Sequence, residues 1–143
     1  MSLKSAAALS MVVLMSAGVA RAETVHFVAA LTGGDEVPAN GSAGKGQLTA
    51  ELETMENTLV YRATYSGLSG PAVAAHFHGP AAPGANAPPT LPVPNANTPI
   101  SGAALLTAQE AADLMAGKWY FNVHTAANPG GEIRGQVTEV GRR

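Results

Sequence analysis

"GKGQLTAELETMENTLVYRATYSGL", residues 44–68, alternates apolar and polar side chains twice around a polar turn. In its first half Leu48, Ala50 and Leu52 share one face, and Gln47, Thr49, Glu51 and Glu53 the other. "TMENT" (54–58) is the turn, and the return stretch sets Leu59, Tyr61, Ala63 and Tyr65 on one side. Side chains of a strand point to opposite faces at period 2, so this segment reads as a β-hairpin with one buried and one wet face.

The same period recurs on both sides of it. "TVHFVAAL" (24–31) sets Val25, Phe27, Ala29 and Leu31 against His26. "PAVAAHFHG" (71–79) sets Val73, Ala75 and Phe77 against Ala74, His76 and His78. "KWYFNVHT" (118–125) sets Trp119, Phe121 and Val123 against Tyr120, Asn122 and His124. After the turn "AANPGG", "EIRGQVTEV" (132–140) is expected as the last strand, with Ile133 and Val137 facing the core. One helix is expected in "TAQEAADLMAG" (107–117), where Thr107 and Glu110 form a capping box, Leu114 and Met115 give an apolar face and Gly117 suits the end. Between Gly79 and Pro99, seven prolines and two glycines prevent a central strand. A loop of this length either serves a site or makes a surface excursion between sheets. Short, closely spaced strands with one short helix and this long Pro/Gly-rich loop predict an all-β sandwich with Greek-key connections.

Residues 1–22 have the layout of a secretory signal peptide, with Lys4 ahead of an apolar run and Ala20-Arg21-Ala22 as a cleavage site. Residues 23–143 are then one domain, exported and either periplasmic or secreted, with no membrane insertion after cleavage. Loss of Lys4 and Arg21 takes the formal net charge from −2 to −4. A mildly acidic chain without basic clusters argues against nucleic acid as a partner. There is no cysteine, so disulfides are excluded and any metal site must use nitrogen and oxygen ligands.

His76 and His78 lie two apart on one strand, so both rings leave the same face about 7 Å apart along the chain. His124 occupies the out-of-core face of a second strand, and His26 that of a third. If those faces meet, His76, His78 and His124 form an imidazole cluster that His26 can extend. Imidazoles without thiolate suit Cu(II), Zn(II) or Ni(II); the affinity order favours a copper ion, with zinc the alternative. The competing reading is histidines scattered over a wet sheet face. In "NPGGEIRGQV" (128–137), Arg134 is positioned to clamp a carboxylate, and Glu36 is the candidate. No nucleophile motif of the G-x-S-x-G type and no P-loop is present.

Three segments together resemble the CHRD domain, first described in the developmental protein chordin and common in bacterial exported proteins. They are "LTGGDEVPANGSAGKGQLTAEL" (31–52), "LVYRATYSGLSGPAVAAHFHGPA" (59–81) and "LMAGKWYFNVHTAANPGGEIRGQV" (114–137). The resemblance implies an immunoglobulin-like β-sandwich. It carries over the motif positions Glu36, His76, His78, Gly79, Asn122, His124, Gly131, Glu132, Arg134 and Gly135. In animal chordin these domains belong to a secreted antagonist of bone morphogenetic proteins, which implies no activity for a single-domain chain. H-x-H on one strand and N-V-H on a later one is also similar to the copper half of copper,zinc superoxide dismutase. The chain has too few histidines for that enzyme's two metals and lacks its cysteine pair.

Three functions follow. The first is an exported copper-binding module. The second is an extracytoplasmic domain that contacts another protein or a cell-surface polymer without metal. The third and weakest is a copper-dependent redox enzyme.

Overall fold

The computed structural model describes residues 21–143, so most of the segment read as a signal peptide lies outside the described residues. The described chain is all-β and sandwich-like. Its strands are β1 (Thr24–Thr32), β2 (Lys45–Glu53), β3 (Thr58–Ser66), β4 (Ala72–His78), β5 (Pro89–Pro92), β6 (Ile100–Leu105), β7 (Tyr120–Thr125), β8 (Ile133–Gln136) and β9 (Thr138–Arg142), with one helix, α1 (Ala108–Met115), between β6 and β7. They form one curled sheet in the order β5-β4-β7-β8-β1-β2-β3-β6, with β9 also on β1.

The curl has a local cause. Val137 separates β8 from β9, and its N–H donates to the Trp119 carbonyl at 2.9 Å. On one side of it β8 pairs with β7; on the other β9 pairs with β1. The expected last strand is therefore two strands, and the chain changes wings between them. β1 and β8 meet at Thr32 and Arg134. There the backbones are so close that a Cβ on Gly135 would strike the Ala30 carbonyl oxygen.

The two wings, β5-β4-β7-β8 and β9-β1-β2-β3-β6, fold their apolar faces together. Phe77 meets Tyr61 edge-on across the interior at 5.1 Å and Phe121 on its own wing at 4.9 Å. Val25, Phe27, Leu31, Leu48, Leu52, Leu59, Trp119, Val123 and Ile133 complete a core at essentially zero exposure. At about 25 cal/mol per Å² of apolar surface removed from water, this burial is the main force closing the sandwich. The hairpin at 44–68 pairs in the expected register, Lys45 opposite Ser66 and Glu53 opposite Thr58. Asn57 takes φ 54° in its turn, a left-handed conformation that asparagine tolerates better than branched residues.

Some elements differ from expectation. Val73 is 62% exposed because the β4–β7 register slips between Ala72 and Ala74. The proline-rich segment contributes β5, a short edge strand whose prolines need no ladder bond on the open side. β6, "ISGAAL", has Gly102 and small alanines in place of a clear alternation, yet pairs along β3. α1 is eight residues, about two turns. It has the expected capping box, with Thr107 and Glu110 bonding each other's backbone N–H, and buries Ala111 and Leu114. Thr107→Ala should cost about 1 kcal/mol, read as a lower urea midpoint at unchanged slope.

β7 decides where the site lies. All six of its residues are buried, polar and apolar alike. Its inner face is core, and its outer face is covered by the loops that precede β2, follow β4 and precede β8.

Candidate metal centre

The β4–β7 register assembles the outer face. His76 lies opposite Asn122, His78 opposite Tyr120, and small Ala74 opposite His124. Cross-strand neighbours on one face are about 5 Å apart and diagonal ones within reach of long side chains. His124 therefore extends over the space left at Ala74 toward His76. His76 Nδ1 and His124 Nε2 are 3.1 Å apart. One ligand nitrogen from each of His76, His78 and His124 lies within 4.8 Å of the others. His78 and His124 are buried at 6% and 8% exposure; His76 is half-buried.

Two rings are fixed by backbone carbonyls. His78 Nδ1 is 2.9 Å from the Ala87 carbonyl, and His124 Nδ1 is 2.9 Å from that of Pro129. A carbonyl only accepts, so both Nδ1 atoms carry the proton and both Nε2 atoms present lone pairs when the rings are neutral. This is the usual way a protein orients a metal-binding imidazole. Burial, and then the neighbouring histidines, hold His76 below the ordinary histidine pKa. His78 is likewise lowered, by burial foremost. Both are therefore uncharged at neutral pH.

The long loop answers to the site. Ala87, which holds His78, also exchanges hydrogen bonds with the Tyr120 hydroxyl. Tyr120 stacks on His78 with centroids 4.6 Å apart and carries Arg134 over its ring at 3.4 Å. The Arg134 guanidinium donates to the Asn86 side-chain oxygen at 2.9 Å and the Ala85 carbonyl at 2.6 Å. Residues 85–87 are thus pinned over the centre by Tyr120 of β7 and Arg134 of β8 beneath them. The expected clamp between Arg134 and Glu36 is not made: the guanidinium is taken up by the loop and reaches Glu36 through its charge. Glu36 is 7% exposed, and burial pushes its carboxyl up to about 7 against the pull of Arg134 and the Asn122 amide.

A family model for the CHRD domain matches residues 27–137. The chain belongs to the CHRD domain family. No curated protein and no solved structure matches the chain.

Of the four histidines, this CHRD domain brings together three. His26 lies on the other wing, on the outer face of β1, where its Nδ1 is 3.3 Å from Glu51 across β2. Alternation places His26 out of the core, as expected, but the curl turns that face away from β4 and β7. The Ala87 and Pro129 carbonyls and the Tyr120 stack were not selected from the sequence, and Asn122 was named there only as a family motif position, not as part of the histidine cluster. For Asn122 a signal was present, because it shares a face with His124 and falls within the N-V-H triplet.

Proposed function

We propose that this CHRD domain is an exported metal-binding module that takes copper through His76, His78 and His124. The observation that carries the reading is the pinning of two imidazoles by backbone carbonyls beside a third histidine, with His124 Nε2 3.1 Å from His76 Nδ1 and one ligand nitrogen of each ring within 4.8 Å of the others. An incidental polar patch does not require the tautomer of two rings to be set in this way. An all-nitrogen-and-oxygen donor set favours Cu(II) over Zn(II) by the affinity order. Export rests on the signal-like residues 1–22.

The test is titration of the untagged, chelator-stripped protein with Cu(II) and Zn(II), followed by calorimetry and copper EPR. One-to-one binding with nitrogen hyperfine structure is expected, tighter for copper. Binding no stronger than that of a His76→Ala/His78→Ala variant would overturn the reading and return the domain to a protein or polymer partner.

A further inference from the structure

We infer that Asn122 is a fourth protein ligand of this centre, through its side-chain oxygen Oδ1. The inference rests on the metal-binding reading above. Asn122 is 2% exposed, and Oδ1 lies 2.9 Å from His78 Nε2 and 2.9 Å from His124 Nε2. In the neutral rings both Nε2 atoms bear lone pairs, because the one ring proton of each is committed to Ala87 or Pro129. Oδ1 is an acceptor as well. Three acceptors packed at hydrogen-bond distance in a buried space repel one another, and a cation among them relieves this.

The geometry has the right scale. The edges Oδ1–Nε2 of His78, Oδ1–Nε2 of His124 and Nε2 of His124–Nδ1 of His76 are 2.9, 2.9 and 3.1 Å. Ligands held about 2.1 Å from an ion and at right angles around it are about 3 Å apart. Right-angled nitrogen and oxygen donors are the preference of Cu(II) and Ni(II).

The orientation of the amide has a separate cause. Rotating it by 180° would turn Nδ2 toward the imidazoles and remove the conflict without a metal. At its other end, however, Nδ2 faces Glu36. A Cβ placed on Gly131 would meet both Glu36 Oε1 and Asn122 Nδ2, so the two groups converge beneath that glycine. Among the described residues Glu36 Oε1 is buried with no hydrogen-bond partner, so the nearby amide N–H is the donor placed to serve it. Against the ionised Glu36, the rotated amide would set its oxygen toward the carboxylate and leave its N–H groups away from it. Gly131, at φ 128°, is a position only glycine occupies easily, and it is what leaves room for this contact. Glu36 is a positioning residue that keeps Oδ1 turned to the ion.

The experiment is copper EPR and ENDOR on the full chain loaded with one equivalent of Cu(II). In the unaltered protein, asparagine labelled with carbon-13 at Cγ should give one strongly coupled carbon, although the chain has several other asparagines. Asn122→Ala should weaken copper binding on the order of 10- to 100-fold and change the EPR spectrum. Asn122→Asp, which keeps an oxygen at the same place, should restore binding with a spectrum shifted by the added charge. Copper bound by the three histidines with no coupled asparagine carbon, and with a spectrum unmoved in Asn122→Ala, would overturn the inference and leave the three-histidine reading standing. Failure of the unaltered protein to bind copper would instead overturn the reading on which the inference rests.

Discussion

Replacing His124 with alanine should lower copper affinity by about 100-fold or more, equivalent to at least about 2.7 kcal/mol. His78→Ala should do the same. Each ring enters the centre with its orientation and tautomer already set by a carbonyl, so the ordering cost of placing the ligand is met during folding. His76→Ala should cost less, since that ring is half-buried and, among the described residues, only His124 contacts it by hydrogen bond, with no carbonyl to fix its tautomer. His26→Ala should leave binding unchanged, because its partner is Glu51 on the opposite wing. Calorimetry on the four single variants gives the pattern directly. Equal losses for all four would mean that copper binds wherever an exposed imidazole is found. The pH dependence has a defined sign. Because the folded-state values of His76 and His78 lie below 6.5, protons compete poorly with metal. Copper should stay bound at pH values where an ordinary histidine site is already half protonated.

How far the sequence reveals this centre depends on which residues carry the signal. Period-2 alternation separates the core face, Trp119, Phe121 and Val123, from the outer face, Asn122 and His124, and the structure agrees. It also puts His76 and His78 on the same side of β4. Alternation fixes a face but not the neighbour of a strand, so His26 and His124 look equivalent until the sheet order is known. The curl that separates them comes from a wing change at Val137, a residue whose own pattern is that of any inward valine. β6 escaped because Gly102 and the alanines around it have too little apolar contrast to show a period. The loop from Gly79 to Pro99 was legible as irregular and long. Its task was not, because it acts through the main-chain carbonyls of Ala85 and Ala87, which any residue there would supply. Arg134 shows a further difficulty: a buried guanidinium implies acceptors, but not that they are a loop carbonyl and an asparagine rather than Glu36.

Glu132→Ala should be strongly destabilising at the face of the domain adjoining the candidate metal centre, costing about 2–3 kcal/mol and lowering the melting temperature by on the order of 10 °C. Glu132 is fully buried, yet among the described residues its carboxylate has no cationic partner. It is held by donors alone: the Ser42 hydroxyl at 2.6 Å, the Ser69 N–H and hydroxyl at 2.7 and 2.6 Å, the Thr125 hydroxyl, and the Asn128 amide at 3.1 Å. Removal of the carboxylate takes the acceptor from five donors: Thr125 is buried and loses it outright, whereas Ser69 is exposed and Ser42 and Asn128 are half-buried, so water offsets part of the loss there. Burial alone would raise this carboxyl, but the bonds from Ser42, Ser69 and Thr125 outweigh it and bring the pKa down to about 2. A carboxyl at about 2 when folded and 4.5 when unfolded adds stability that is complete above pH 4.5 and is lost as pH falls from there toward 2. Glu132→Gln should flatten that acid limb while keeping the side chain's size. Its amide cannot accept at both ends: with its oxygen kept on the Ser69 N–H, its NH2 meets the Asn128 amide, also a donor, and the Ser69 and Thr125 hydroxyls must turn to accept, so it too should be less stable at neutral pH. Denaturant midpoints for both variants between pH 3 and pH 7 test this, and parallel curves for wild type and Glu132→Gln would refute it. The consequence reaches the metal. Glu132 ties Thr125 to Asn128 across the turn that offers the Pro129 carbonyl to His124. Loosening that turn frees the His124 ring to rotate, so Glu132→Ala should lose copper affinity under conditions where it is still folded, although it touches no ligand.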